Sequence, residues 1–136
     1  MNETRGLWRG RSTANFEETG ENGEWVTGLL AYLSHDHLSA QIYDRLLQKC
    51  FEVDPLTLGE CTGVPAMNDM TIFEGDIVKT EYGSEIVVGV VEYDKYSGAF
   101  ILNDGVYDYM FGSDITGDEC EIIGNIHDNP ELLNCR

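Results

Sequence analysis

The sequence predicts a mainly β protein with minor helix, and three observations carry that prediction. The run Ile72-Phe73-Glu74-Gly75-Asp76-Ile77-Val78-Lys79 places a tight glycine turn directly ahead of a β-branched strand. Beyond it, short apolar runs alternate with Gly, Asn and Asp turns to the end of the chain. In the first half, Asn22-Gly23 stands just before Trp25–Leu33, and Asn-Gly is the strongest short-range hairpin signal because both turn positions need positive φ. The expected architecture is an N-terminal β-hairpin lobe over about 1–66 and a small antiparallel barrel or strongly curled sheet over about 67–136. One or two short helical turns complete it.

The elements follow in order. Strands are expected near Trp8–Phe16 and Glu24–Leu33, joined across a Glu-rich turn, with Trp8 and Trp25 anchoring the core face of the hairpin. Ser34–His37 is a polar loop. Leu38–Phe51 reads two ways: Leu38, Ile42, Leu46 and Cys50 recur every four residues, as on a helix, whereas a strand pair turning near Asp44-Arg45 suits an all-β chain. Asp54 can cap a helical turn, Pro55 suits its first position and Gly59 can end it. Thr62–Asn68, with Gly63 and Pro65, reads as a connecting loop.

In the second half, Ile77–Thr80 begins a strand and Gly83-Ser84 turns it. Glu85–Tyr93 is a near-continuous apolar run, which predicts burial on both faces. Ala99–Leu102 and Val106–Phe111 pair across Asn103-Asp104-Gly105, Glu119–Ile126 is the last strand, and Asn129-Pro130-Glu131 opens a short helical piece.

A chain of 136 residues fits one domain and is long enough to bury a core without disulfides or metal. Its 25 acidic and 8 basic residues give a net charge of −17. Phosphate-backbone binding needs clustered cations, and here they are scattered apart from the loose trio Arg5, Arg9, Arg11, so direct nucleic-acid binding is not expected. The acidity serves solubility or, on a sharper reading, imitates a nucleic acid. No apolar run approaches a membrane span and no secretion signal is visible, which predicts a cytoplasmic protein. Cys50, Cys61, Cys120 and Cys135 show no C-x-x-C pair and read as free thiols.

Candidates for chemistry are few. His35-Asp36-His37 would put two imidazoles on one face of a strand, but a metal site needs three or four converging ligands, and His127 has no spacing relation to them. Glu17-Glu18, Asp118-Glu119 and Glu74/Asp76 are carboxylate pairs that so acidic a chain produces by chance. Asn103-Asp104-Gly105 with Asp108 lacks the spacing of a calcium loop and reads as a hairpin turn. The aromatics Tyr82, Tyr93, Tyr96, Phe100, Tyr107, Tyr109 and Phe111 read as strand core and cross-strand pairs, since a stacking platform comes with a basic groove. No catalytic, cofactor-binding or metal residue is assigned, and no cofactor is expected.

Several stretches, in order, resemble the YopX family of small proteins from phages, prophages and other bacterial mobile elements. They are Asn22–Gly28, Phe51–Pro55, Gly59–Gly63, Ile72–Val78, Gly89–Tyr93 and Ile122–Leu133. The resemblance implies a bacterial or phage origin, a mainly β fold and an extended Leu38–Phe51, from which the four-residue spacing departs. Pro65–Thr71 departs as well, with Ala66-Met67-Asn68-Asp69-Met70 where relatives carry a Lys- and Gly-rich turn. The family has no settled activity, so the resemblance assigns no site residue.

Three functions are weighed. The first is a non-catalytic binding or assembly module with a protein partner, either itself as a homo-oligomer or a host or phage protein. The second is an acidic nucleic-acid mimic that inhibits a host nuclease or DNA-binding protein. The third is a small enzyme with an unrecognised site.

Overall fold

The computed structural model describes residues 6–14 and 23–135. Phe16, the Glu-rich turn with Glu17-Glu18, Asn22, Arg5 and the Cys135 side chain lie outside the described parts. Among the described residues the fold is mainly β, with two antiparallel sheets and no long helix. The strands are β1 (Trp8–Arg11), β2 (Trp25–Leu33), β3 (Ala40–Asp44), β4 (Lys49–Val53), β5 (Gly59–Pro65), β6 (Thr71–Phe73), β7 (Asp76–Tyr82), β8 (Glu85–Asp94), β9 (Ala99–Asn103), β10 (Asp108–Met110) and β11 (Glu121–Asn125). One sheet has the order β4-β3-β2-β1-β5-β6 and the other β10-β9-β8-β7-β11. The chain divides into two compact units, the first ending at Cys61 and the second starting at Thr62.

In the first unit β1 and β2 form the expected pair, with Arg11 opposite Trp25 and Trp8 opposite Gly28. That register corrects the expectation for the tryptophans. Trp8 and Trp25 fall on opposite faces, because side chains alternate along a strand and Arg11 is three residues from Trp8. Trp8 packs with Val26 and Leu58 on the buried cluster Ala40, Ile42 and Val53, while Trp25 shares the other face with Arg9 and Arg11. Leu38–Phe51 holds the strand pair β3–β4, and its four-residue spacing has no face: Ile42 is buried while Leu38, Leu46 and Cys50 are exposed. Gly28 is dictated by strand approach, since a Cβ there would stand 2.1 Å from the Tyr43 carbonyl oxygen.

The Asp54-Pro55 cap forms as expected. Asp54 accepts the Leu56 amide (3.0 Å) and opens a 3₁₀ turn over Pro55–Thr57. The turn also clasps the end of β1. The Asp54 amide donates to the Arg11 carbonyl (2.8 Å), and the Arg11 amide donates to the buried Thr57 hydroxyl (2.8 Å). Ser12 then bridges to Val53, and the Thr13 amide donates to the Glu52 carbonyl (3.0 Å). The loop expected over Thr62–Asn68 is instead largely strand, and Gly59 opens β5 rather than ending a helix. The cause is visible at Thr62: its hydroxyl donates to the Ile72 carbonyl (2.9 Å) and accepts the Val64 amide (3.0 Å), which holds a glycine- and proline-bearing segment extended.

In the second unit the marker run forms β6, a turn at Glu74-Gly75, and β7. Gly75 takes φ +94°, a region open to glycine. The buried Asp76 carboxylate accepts the Phe73 amide (2.8 Å) across that turn. Gly89, Val90 and Val91 are buried in succession, so the middle of β8 is covered on both faces as its composition predicts. Val78, Val87, Val91 and Leu102 form the core with Ile72, Ile115 and Cys120, and each large side chain so buried contributes about 1.5–3 kcal/mol. Of the two forms expected, barrel or curled sheet, the closed barrel does not occur: the five-stranded sheet is open, with β10 and β11 at its edges. β10 spans only three residues, and the chain beyond it satisfies its edge locally. Asp114 accepts the Met110 amide (2.9 Å), and the Gly112 amide donates to the Ile115 carbonyl (2.7 Å). The C-terminal piece is a 3₁₀ segment over Pro130–Cys135, seated by Asn129, whose side chain accepts the Asn125 amide (3.3 Å).

Candidate functional site

The histidine loop is a closed turn rather than a strand. The Ser34 hydroxyl donates to Asp36 (2.6 Å), and Asp36 accepts the Leu38 amide (3.1 Å). These bonds, the hydroxyl first, hold the Asp36 carboxyl below the usual carboxylate range. His37 sits at φ +60°, so His35 and His37 do not share a strand face. Among the described residues no group of three or more His, Cys, Asp and Glu is placed to hold a metal ion.

The carboxylate pairs behave as the turn chemistry dictates. Asp118 and Glu119 lie exposed in a 3₁₀ turn, and Asp76 spans its own turn to Phe73. Asp104 accepts the Val106 and Tyr107 amides (2.8 and 2.7 Å), and Asn103 donates to Asp108 (2.9 Å), which makes this segment a self-capped hairpin turn. Tyr93 and Phe100 pair across β8–β9, edge to face at 5.3 Å. Tyr82 of β7 instead meets Tyr109 of β10, with β8 and β9 between them in the sheet order, edge to face at 5.1 Å. Tyr82, Tyr93, Tyr96 and Tyr107 are exposed, which corrects the reading of all seven aromatics as strand core. Burial pushes the Tyr109 phenol up, with the Asp104 carboxylate beside it adding to the effect. Burial likewise pushes the Cys120 thiol up, away from the thiolate that nucleophilic chemistry requires. Cys50 is exposed, and Cys61 is buried.

The feature that sequence reasoning missed is in the first unit. A groove of about 810 Å³ runs between Ser12–Ala14, Gly23–Gly28, the β3–β4 turn and Phe51. Volumes of this class take up a drug-sized group or a few side chains of a partner. One wall is the turn itself, where Asp44 accepts the Leu46 and Leu47 amides (2.9 and 3.2 Å). That arrangement fixes the tip and presents Leu46 and Leu47 outward, 95% and 65% exposed. Cations attend the groove's aromatic walls. The Arg9 and Arg11 guanidinium carbons lie 4.8 and 5.5 Å from the Trp25 ring centre, and the Lys49 ammonium lies 5.1 Å from that of Phe51. Each such contact contributes about 0.5–1 kcal/mol where exposed. Arg45 lines the groove directly, as do the carboxylates Glu24 and Asp44.

Two adjacent leucines between Asp44-Arg45 and Gln48-Lys49 were the available signal. On a helix they are ordinary core; only at a hairpin tip are they conspicuous. The chain's charge is also unevenly distributed between the units: residues 62–136 carry fifteen acidic and three basic residues, against ten and five in residues 1–61.

Among the described residues no helix is long and apolar enough to cross a membrane. No curated protein matches the chain. A family model described as YopX protein matches residues 14–134, nearly its whole length, and the chain therefore belongs to the YopX family.

Proposed function

We propose that this protein is a non-catalytic binding module of a phage or other mobile element, acting in the host cytoplasm through a protein partner. The observation that carries the reading is the pinned β3–β4 tip, which exposes Leu46 and Leu47 beside an 810 Å³ groove. Exposed leucines held rigidly beside a concavity are costly in water and suit a contact surface. The reading also takes the five-stranded sheet as strongly curled. In its support, a Cβ on Gly89 would stand 2.5 Å from the Asn103 carbonyl oxygen, an approach too close for any other residue. The test is affinity capture from host lysate with the wild type and with Leu46→Glu/Leu47→Glu. The substituted protein should retain the wild-type circular dichroism and lose the captured partner; equal capture by both would remove the groove from the account.

The uneven charge favours a second reading, an acidic mimic of nucleic acid, because fifteen carboxylates lie within residues 62–136. Such a protein captures basic nucleic-acid-binding proteins at low salt and releases them as salt screens the contact. Capture that is insensitive to salt, or that contains no basic protein, counts against it.

A further inference from the structure

We propose that the free edge of β2 over Leu29–Leu33 pairs antiparallel with the same edge of a second copy, extending one sheet into the next. This rests on the binding-module reading and names the partner as the protein itself. β1 pairs only with Trp25–Gly28 of β2, whereas β2 runs on to Leu33. β3 lies along Leu29–Leu33 on one side; on the other, no strand pairs with them among the described residues. Every second residue there turns its N–H and C=O away from β3, toward an open side about 17 Å long. Neither lysine nor proline, the usual guards of such an edge, stands in it. A bulge between Leu30 and Tyr32 leaves Ala31 without a β3 partner as well.

The chemistry of this edge selects its occupant. Ladder hydrogen bonds demand an extended strand, and Trp25–Ser34 holds no Asp, Glu, Lys or Arg, so the incoming strand meets no charge to pair with. Leu29, Tyr32 and Leu33, 39%, 50% and 37% exposed, offer it apolar surface instead. The same edge on a second copy meets both demands. Centred on Ala31, the pairing sets Leu29 opposite Leu33 and Leu30 opposite Tyr32 across a twofold axis, apolar against apolar. Charge also singles out this edge among those the sheets expose. β4 carries Lys49 and Glu52, β10 carries Asp108 and β11 carries Glu121, while β6 spans three residues of which two are buried. Two chains of net charge −17 repel each other, and a contact that sets no carboxylate against another leaves that repulsion at long range, where salt screens it.

The test is sedimentation or light-scattering mass over a concentration series reaching the sub-millimolar range. The wild type should rise from the 15.2 kDa of one chain to twice that mass and stop there, since a twofold contact closes on itself. Added salt should shift the rise to lower concentration. Leu29→Lys/Leu33→Lys and Leu29→Glu/Leu33→Glu each set like charges opposite one another and should stay at one chain, with circular dichroism checking the fold. Their equimolar mixture should recover the doubled mass, because lysine then faces glutamate while both chains remain net negative. Leu29→Lys/Leu33→Glu should double by itself, which keeps the register testable should a like-charged variant lose its fold. A wild type at one chain throughout overturns the proposal, as do a mixture that fails to pair and a doubled mass that both like-charged variants retain. If the wild type is monomeric and Leu46→Glu/Leu47→Glu still loses a captured host protein, the binding-module reading stands without the self-association.

Discussion

Thr57→Val is the substitution that most directly tests how the first unit is held. The buried Thr57 hydroxyl joins two segments 46 residues apart, accepting the Arg11 amide at 2.8 Å while donating to the Asp54 carbonyl at 2.6 Å. Valine fills the same volume and removes both bonds. The Asp54 carbonyl keeps the Thr57 amide (2.9 Å), so its loss is partial. The Arg11 amide loses its hydroxyl acceptor in a half-buried position. A net hydrogen bond contributes about 1 kcal/mol, and a polar group stranded by its partner's removal costs about 1–3 kcal/mol, so the expected destabilisation is about 2 kcal/mol. With an unfolding entropy of about 2.1 cal/mol/K per residue, the midpoint falls by about 7 °C if all 136 residues melt together. It falls by about 16 °C if the unit ending at Cys61 melts alone. Both tryptophans, Trp8 and Trp25, lie in that unit, so tryptophan fluorescence during urea or thermal unfolding reports its transition specifically. Thr57→Ser keeps the hydroxyl and controls for the methyl group. Equal midpoints for the valine and serine variants would refute the clasp.

Other outcomes follow from the same geometry. Gly28→Ala forces a Cβ to within 2.1 Å of the Tyr43 carbonyl oxygen, which is backbone and cannot swing away; the tryptophan transition should weaken by about 3 kcal/mol or lose its cooperativity. Gln48→Gly should raise stability by about 0.5–1 kcal/mol, because Gln48 holds φ +52° on an exposed turn that glycine enters without strain; an unchanged urea midpoint contradicts this. Under native conditions iodoacetamide should label the exposed Cys50 well before the buried Cys61 and Cys120, as read by peptide mass mapping. Comparable labelling of Cys120, whose thiol burial keeps protonated, would mean that the second unit's core opens readily.

The turn chemistry was legible in the sequence because it is local. Asp54-Pro55, Gly75-Asp76, Asn103-Asp104-Gly105 and Asn129-Pro130 each specify their backbone from residues a few positions apart, and each forms where it was read. What failed depends on distant partners. β5 owes its extension to strands reached only through the fold and to a threonine hydroxyl that binds a carbonyl ten residues away. The opposite facing of Trp8 and Trp25 depends on the β1–β2 register, which sets Arg11 opposite Trp25. Strand number alone leaves a barrel and a curled sheet both open, and only the long-range pairing shows β10 and β11 as unclosed edges. The groove was hidden for a related reason: Leu46 and Leu47 mean core on a helix and surface on a tip, and periodicity could not choose between them.

The residues that carry the family resemblance are largely those that build clasps. Asp54 ties the end of β1, Asp76 ties Phe73, Gly124 leaves room for Asn129 where a Cβ would meet its side-chain oxygen at 2.6 Å, and Gly28 lets β2 approach β3. Both hairpin tips, Arg45–Lys49 and Asp104–Asp108, fall outside the resembling stretches. On the binding-module reading the labour is divided: the frame, with the Asp44 and Asp104 bonds, holds each turn, and the remaining tip side chains would choose what is bound. Exchanging Arg45–Lys49 for another sequence that keeps Asp44 and a left-handed fifth residue should therefore leave the tryptophan unfolding midpoint within about 0.5 kcal/mol, the range of ordinary surface changes, while abolishing capture. A tip exchange that unfolded the unit would place the tip in the frame, and the separation of fold from recognition argued from these contacts would fail with it.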